Sequence, residues 1–149
     1  MKFPVPIPFV QQLGFELLSV ADGEAELRLT VAEQHLNSWR VAHGGVIMTL
    51  LDVAMAHAAR SVNRREGEAE ADLGPGVVTV EMKTSFMRPG EGELRAVGKL
   101  LHRSTTMGFC EGSVYGADGK LCAHATGTFK YLRALPSGRQ LKPLGGEGD

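Results

Sequence analysis

Between Val46 and Ala59 apolar residues fill nearly every position, and neither proline nor glycine interrupts them. A helix with no single apolar stripe is enclosed on most sides. At about 1.5 Å per residue it is roughly 20–25 Å long, too short and too polar to span a membrane. The pattern predicts a central helix of a soluble domain. Upstream the period changes: Ala25, Leu27, Leu29 and Val31 alternate with Glu24, Glu26, Arg28 and Thr30, a strand with one face buried. A second strand, Phe15 to Val20, precedes it, and Asp22-Gly23 between them is a strong hairpin signal. Downstream, strands are expected at about 77–88, 93–102, 105–116 and 120–131. Pro89-Gly90 closes the first of these, and Asp118-Gly119 joins the last two. Simple alternation places Val78, Val80, Met82, Thr84 and Phe86 on one face of the first, and Thr79, Glu81, Lys83 and Ser85 on the other.

The remaining segments read as connections. Pro4, Pro6 and Pro8 keep residues 1–8 extended, and Phe9 to Leu13 suits a short helical turn ended by Gly14. Residues 32–42 form a loop carrying the only tryptophan. Residues 61–76 are charged and read as a crossover loop, while 136–149 are rich in glycine, proline and charge and read as disordered. One domain over residues 1–133, with a tail from 134 to 149, accounts for the chain, and no internal repeat is visible. Two strands, a long apolar helix and four more strands define an α+β class. A curved antiparallel sheet wrapped around the helix is the economical solution. Its edges and outer face would suit self-association.

Composition narrows the function. The 149 residues suit a single core, and a net charge of −1 argues against a nucleic-acid binder. Cys110 and Cys122 fall in expected strands and form no disulfide framework. His35, His43, His57, His102 and His124 are scattered without ligand spacing, so no metal is expected. The first residues contain no continuous apolar signal core, and a cytoplasmic location is the default expectation.

Two features of the helix need more than packing. Gly44-Gly45 stand at its start, where backbone N–H groups and the positive end of the macrodipole are exposed to a ligand oxygen. Asp52 lies about two turns into the apolar run, too deep to be a cap. Either an ion pair with a neighbouring strand or a catalytic role would account for a carboxylate there. Asn37, in the preceding loop, gains interest from its proximity to the glycine pair.

Asn37, His43-Gly44-Gly45, Asp52 and Val78-Thr79-Val80-Glu81-Met82, followed by Met87-Arg88-Pro89-Gly90, resemble one family. It is that of the hot-dog-fold acyl-CoA thioesterases of the phenylacetyl-CoA thioesterase (PaaI-like) type. The resemblance covers about Leu13 to Leu132, and it implies a homodimer or homotetramer that hydrolyses an acyl-CoA. It implies that Asp52 acts as nucleophile or general base and that the Gly44 N–H polarises the thioester carbonyl. Asn37 and His43 would frame the reacting carbonyl and water, and Thr79 would help to place water. Gly45 would keep the helix start open to the substrate. Arg88, His102 and Arg103 are candidates for the coenzyme A phosphates. No cofactor is implied, since coenzyme A belongs to the substrate. The chain departs from the family at Arg40, where a glycine is common, and at His102-Arg103-Ser104-Thr105, where a glycine and a basic residue are frequent.

The chemistry is coherent. Thioester hydrolysis needs a donor for the developing oxyanion and a carboxylate to attack or to activate water. Hydration or dehydration of an acyl thioester, using a histidine paired with an acid, is a competing reading that His43 keeps open. A non-enzymatic acyl-CoA-binding module is a third, which the presence of Asp52 disfavours. The acyl group is not legible in the sequence. Gly44 and Asp52 are separated by about 12 Å of helix, which predicts a site assembled from two chains.

Overall fold

The computed structural model describes residues 2–63 and 76–132. Most of the expected crossover loop and all of the expected tail lie outside the described residues. A short helix α1 (Pro8–Leu13) leads into β1 (Glu16–Ala21) and β2 (Glu24–Thr30), and a single turn of 3₁₀ helix (Glu33–His35) precedes α2 (Gly44–Ser61). Strands β3 (Val77–Phe86), β4 (Glu93–Arg103), β5 (Met107–Tyr115) and β6 (Leu121–Tyr131) follow. All pair antiparallel in one sheet, in the order β1-β2-β4-β5-β6-β3. At the β1–β2 turn Asp22 and Gly23 both have positive φ (51° and 82°), as a two-residue hairpin of the expected kind requires.

The sheet curls around α2. Leu50, Leu51, Ala54, Met55 and Ala59 are buried against inward residues of the strands, including Leu27, Leu94, Ala96, Val114, Ala125 and Phe129. Each large apolar side chain removed from water in this way contributes about 1.5–3 kcal/mol. The helix backbone itself rests on the sheet at Gly98. A Cβ there would lie 2.5 Å from the carbonyl carbon and oxygen of Ala54, so no other residue fits without moving the helix. On the side away from the sheet the N-terminal segment covers the helix. Phe3 sets its ring edgewise on His57 at 5.3 Å, and His57 Nδ1–H donates to Val53 O at 2.8 Å. Burial lowers the proton affinity of His57.

One stripe of α2 stays uncovered. Gly45 is exposed, and Thr49, Asp52 and Ala56 are half-buried, as are Val46 and Met48 in the first turns, while Leu50, Leu51, Val53, Ala54 and Met55 are buried. The stripe flanks β3, an edge strand paired only with β6 among the described residues.

Simple alternation fails in β3. The register with β6 runs Val77↔Tyr131, Val78↔Lys130 and Thr79↔Phe129, then resumes at Glu81↔Thr128, leaving Val80 as an extra residue. A bulge of this kind reverses the parity of everything beyond it. Thr79 therefore faces the helix together with Met82, Thr84 and Phe86, while Val78 points outward. Val78 and Val80, expected to share a face with Met82, are exposed.

Candidate active site

The start of α2 is organised by His43. Its backbone is extended (φ −58°, ψ 137°), and its Nδ1 accepts from Gly45 N–H at 2.8 Å. Val46 and Ile47 N–H both donate to His43 O, at 2.9 and 3.2 Å. Gly44 N–H has no acceptor among the described residues. It is left facing outward where the helix dipole favours a negative oxygen. Gly45, by contrast, spends its N–H inside the cap and can serve a ligand only by lacking a side chain.

The preceding loop is a small hairpin. Leu36 bridges Ala42, Asn37 N–H donates to Val41 O at 2.9 Å, and Arg40 N–H donates to Asn37 O at 3.0 Å. Asn37 Oδ1 accepts from the N–H groups of Trp39 and Val41 at 2.9 and 3.2 Å. The carboxamide NH2 is thus the part of Asn37 left for anything outside the loop. Arg40 takes up φ 61°, the left-handed conformation natural to glycine, which is the physical content of that departure from the family. The loop keeps its shape, and the Arg40 side chain goes to Glu33 at 2.7 Å. The pair is well exposed and contributes at most about 1 kcal/mol. His35, buried below, accepts from Ala32 N–H at Nδ1 and donates from Nε2 to Leu13 O at 2.7 Å. It anchors the loop to the end of α1.

Asp52 is paired with Thr79, whose Oγ1–H donates to Asp52 Oδ1 at 2.7 Å. No cation is paired with the carboxylate among the described residues, so a structural ion pair does not explain it. Burial pushes the Asp52 carboxyl above its ordinary value, and the Thr79 hydrogen bond pulls the other way. Poor hydration makes the group a better base, while Thr79 keeps it oriented.

Three of the other candidates do not meet within one chain. Arg88 is exposed beside a depression lined by Pro89, Glu91, Asp118 and Cys122. It sits near the start of α2, since Ala42 N–H bonds Gly90 O and a Cβ on Gly90 would touch Ile47. Arg103 lies at the other end, where its guanidinium donates to Asn63 Oδ1 and covers the Tyr131 ring at 4.5 Å. Tyr131 O–H in turn donates to Ala59 O at 2.7 Å, so Arg103 helps to fasten the end of the helix. His102 stacks on Phe109 at 6.2 Å, outside the sheet. Among the described residues no cluster of three or more His, Cys, Asp or Glu could hold a metal, and no helix is long and apolar enough to cross a membrane.

Phe86, which nothing in the sequence marks, stands beside the helix start. Its ring carbons Cε1 and Cζ lie 3.4 Å from where a Cβ on Gly44 would stand. The bulge at Val80 sets Thr79 and Phe86 on one face, and no residue type in β3 announces a bulge.

A curled antiparallel sheet wrapped around one long helix is the hot-dog fold. The family model described as the thioesterase superfamily matches residues 40–123, and the chain belongs to that family. The medium/long-chain acyl-CoA thioesterase YigI of Escherichia coli is 27% identical over 135 residues, covering 85% of this chain and 87% of that one. Among solved structures, a conserved protein of Pseudomonas aeruginosa superposes with a TM-score of 0.76 at 32% identity, covering 87% of this chain and 97% of the other. A variant of the phenylacetic acid degradation protein PaaI of Thermus thermophilus gives 0.72 at 27% identity, covering 85% of this chain and all of the other (100%).

Proposed function

We propose that this protein hydrolyses an acyl-CoA thioester to the free acid and coenzyme A, at sites shared between two copies of the chain. The observation that carries the reading is the Asp52–Thr79 pair on the same uncovered helix stripe that begins beside the unpaired Gly44 N–H. Gly44 N–H polarises the carbonyl and takes the charge that develops on its oxygen. Thr79 holds one oxygen of Asp52, and the other removes a proton from water as it attacks the carbonyl carbon. The tetrahedral intermediate collapses with loss of the thiolate, which Asp52 then reprotonates. The Asn37 NH2 donates to the carbonyl or to the water.

Gly44 and Asp52 of one helix are about 12 Å apart along its axis, whereas both must stand near 3 Å from the reacting atoms. A second chain with its helix antiparallel, laid against the stripe of Gly45, Thr49, Asp52 and Ala56, brings Asp52 of one to Gly44 of the other. A twofold pair then has two equivalent sites. Arg88, whose guanidinium has no partner among the described residues, is the best placed of the three phosphate candidates. A hydratase would work through a histidine acting on the substrate together with an acid, whereas His43 Nδ1 is already taken up by the Gly45 N–H in the helix cap. The YigI name and a Streptococcus mutans protein of this fold solved with acetyl CoA support the substrate class.

Replacing Asp52 by Asn tests the reading in a thiol-release assay. The turnover number should fall by about two to four orders of magnitude, while acyl-CoA binding changes little. A folded variant keeping more than about a tenth of the rate, a loss of only ~1.4 kcal/mol, would show that Asp52 does not carry the chemistry.

A further inference from the structure

We infer that Phe86 is the wall against which the acyl group packs, so that the enzyme selects acyl-CoAs whose acyl group continues as an apolar chain or ring. The inference rests on the reading of Gly44 as the oxyanion donor and adds the feature that chooses the substrate.

Phe86 pairs with the buried Ala123 on the inward face of the sheet, and beyond the bulge at Val80 it shares that face with Thr79. The ring lies beside Gly44, with its Cε1 and Cζ 3.4 Å from the position of a Cβ. That is ordinary contact distance, so the ring adjoins the space around the free N–H without obstructing it. A thioester carbonyl accepting from Gly44 N–H at about 3 Å has its substituents within van der Waals reach of the ring. Phe86 is nevertheless 50% exposed. An aromatic side chain turned inward and half covered in one chain has apolar surface still to bury; a partner chain lies along the helix stripe, and a ligand at the Gly44 N–H can cover the part of the ring beside it.

Two groups leave the carbonyl carbon of the substrate. The thioester sulfur leads to an arm that carries amides and ends in phosphates, which need hydrogen bonds, water and cations. Arg88, exposed beyond the end of β3, suits that arm. Phe86 offers no hydrogen bond, and Met82, further along the same inward face beyond Thr84, is an apolar residue packed on the core. The acyl group is the arm that gains from this surface. A single methylene in an apolar pocket is worth about 10–200-fold in specificity, and a ring contact should be of the same order.

The test compares wild type, Phe86→Ala and Phe86→Leu with acetyl-, octanoyl- and phenylacetyl-CoA by thiol release. Sizing and circular dichroism establish that the variants fold and assemble, and the leucine variant carries the test if the alanine variant does not. Removal of the ring should lower kcat/KM for octanoyl- and phenylacetyl-CoA by about tenfold or more relative to acetyl-CoA, chiefly through KM. Leucine should fall between. An equal fractional loss with all three substrates would overturn the inference, because the ring would then serve the coenzyme A arm or the assembly. If wild type releases thiol from none of a wide acyl-CoA panel, the proposed function itself falls.

Discussion

Replacement of Gly44 by proline removes one hydrogen and little else. Gly44 is the first residue of α2, a position at which proline is well tolerated because no intrahelical acceptor awaits its N–H. The residue before a proline must be extended, and His43 already is, with φ −58° and ψ 137°. A Cβ at position 44 would meet the Phe86 ring at 3.4 Å, within ordinary contact. The fold should therefore survive, and the Gly45 cap on His43 with it. What disappears is the free donor at the end of the helix. Loss of one oxyanion-hole donor costs about 2.7–4 kcal/mol of transition-state stabilisation, or roughly 10²–10³ in kcat. Gly44→Ala is the control: it adds the same Cβ but keeps the N–H. The assay is thiol release under saturating and limiting acyl-CoA, with thermal unfolding run alongside. The proline variant should lose its two to three orders in kcat while the alanine variant retains much more. If both fall equally, the cost is steric. If the proline variant stays within about tenfold of wild type, worth ~1.4 kcal/mol, the Gly44 N–H does not stabilise the oxyanion.

Two further substitutions probe the remaining polar groups. Thr79→Val removes the hydroxyl whose hydrogen bond lowers the Asp52 pKa, leaving burial to raise it. Since the basic form is required, the acid limb of the kcat/KM profile should move to higher pH; an unmoved limb would deny Thr79 its role. Asn37→Asp keeps an oxygen for the Trp39 and Val41 N–H groups, but replaces the NH2 donor with a carboxylate oxygen. It should fold like wild type and lose about 10²-fold or more in kcat, as expected for a lost donor at the reacting oxygen. A fully active variant would confine Asn37 to shaping the loop.

Much of the fold was written in periodicity. The unbroken apolar run of α2 and the alternation in β2 signal a buried helix and a half-buried strand because burial acts on every residue of such elements. Asp52 stood out for the same reason, as a charge where burial opposes one. The partner of Asp52 could not be read with equal security. Thr79 faces the helix only because Val80 is an extra residue in the register with β6, and register is a property of two strands. The exposed Val78 follows from the same shift. Gly98 looks ordinary in sequence, yet its place under Ala54 depends on how closely the helix lies on the sheet. Arg40 shows the opposite case, a departure whose consequence stays local, because the hairpin from Asn37 to Val41 is held by its own hydrogen bonds.

The claim on which the mechanism depends is that each site draws Gly44 from one chain and Asp52 from another, and subunit mixing tests it most directly. Asp52→Ala and Gly44→Pro are each inactive as pure proteins on this account. In a mixed dimer one site collects both defects and the other collects neither. Random reassociation makes about half of the dimers mixed, each with one of two sites intact, so about a quarter of wild-type activity should return. Subunit exchange must be shown independently, by sizing or mass measurement of tagged chains. Recovery to about a quarter is the predicted result; proven exchange without recovery would place the whole site within a single chain.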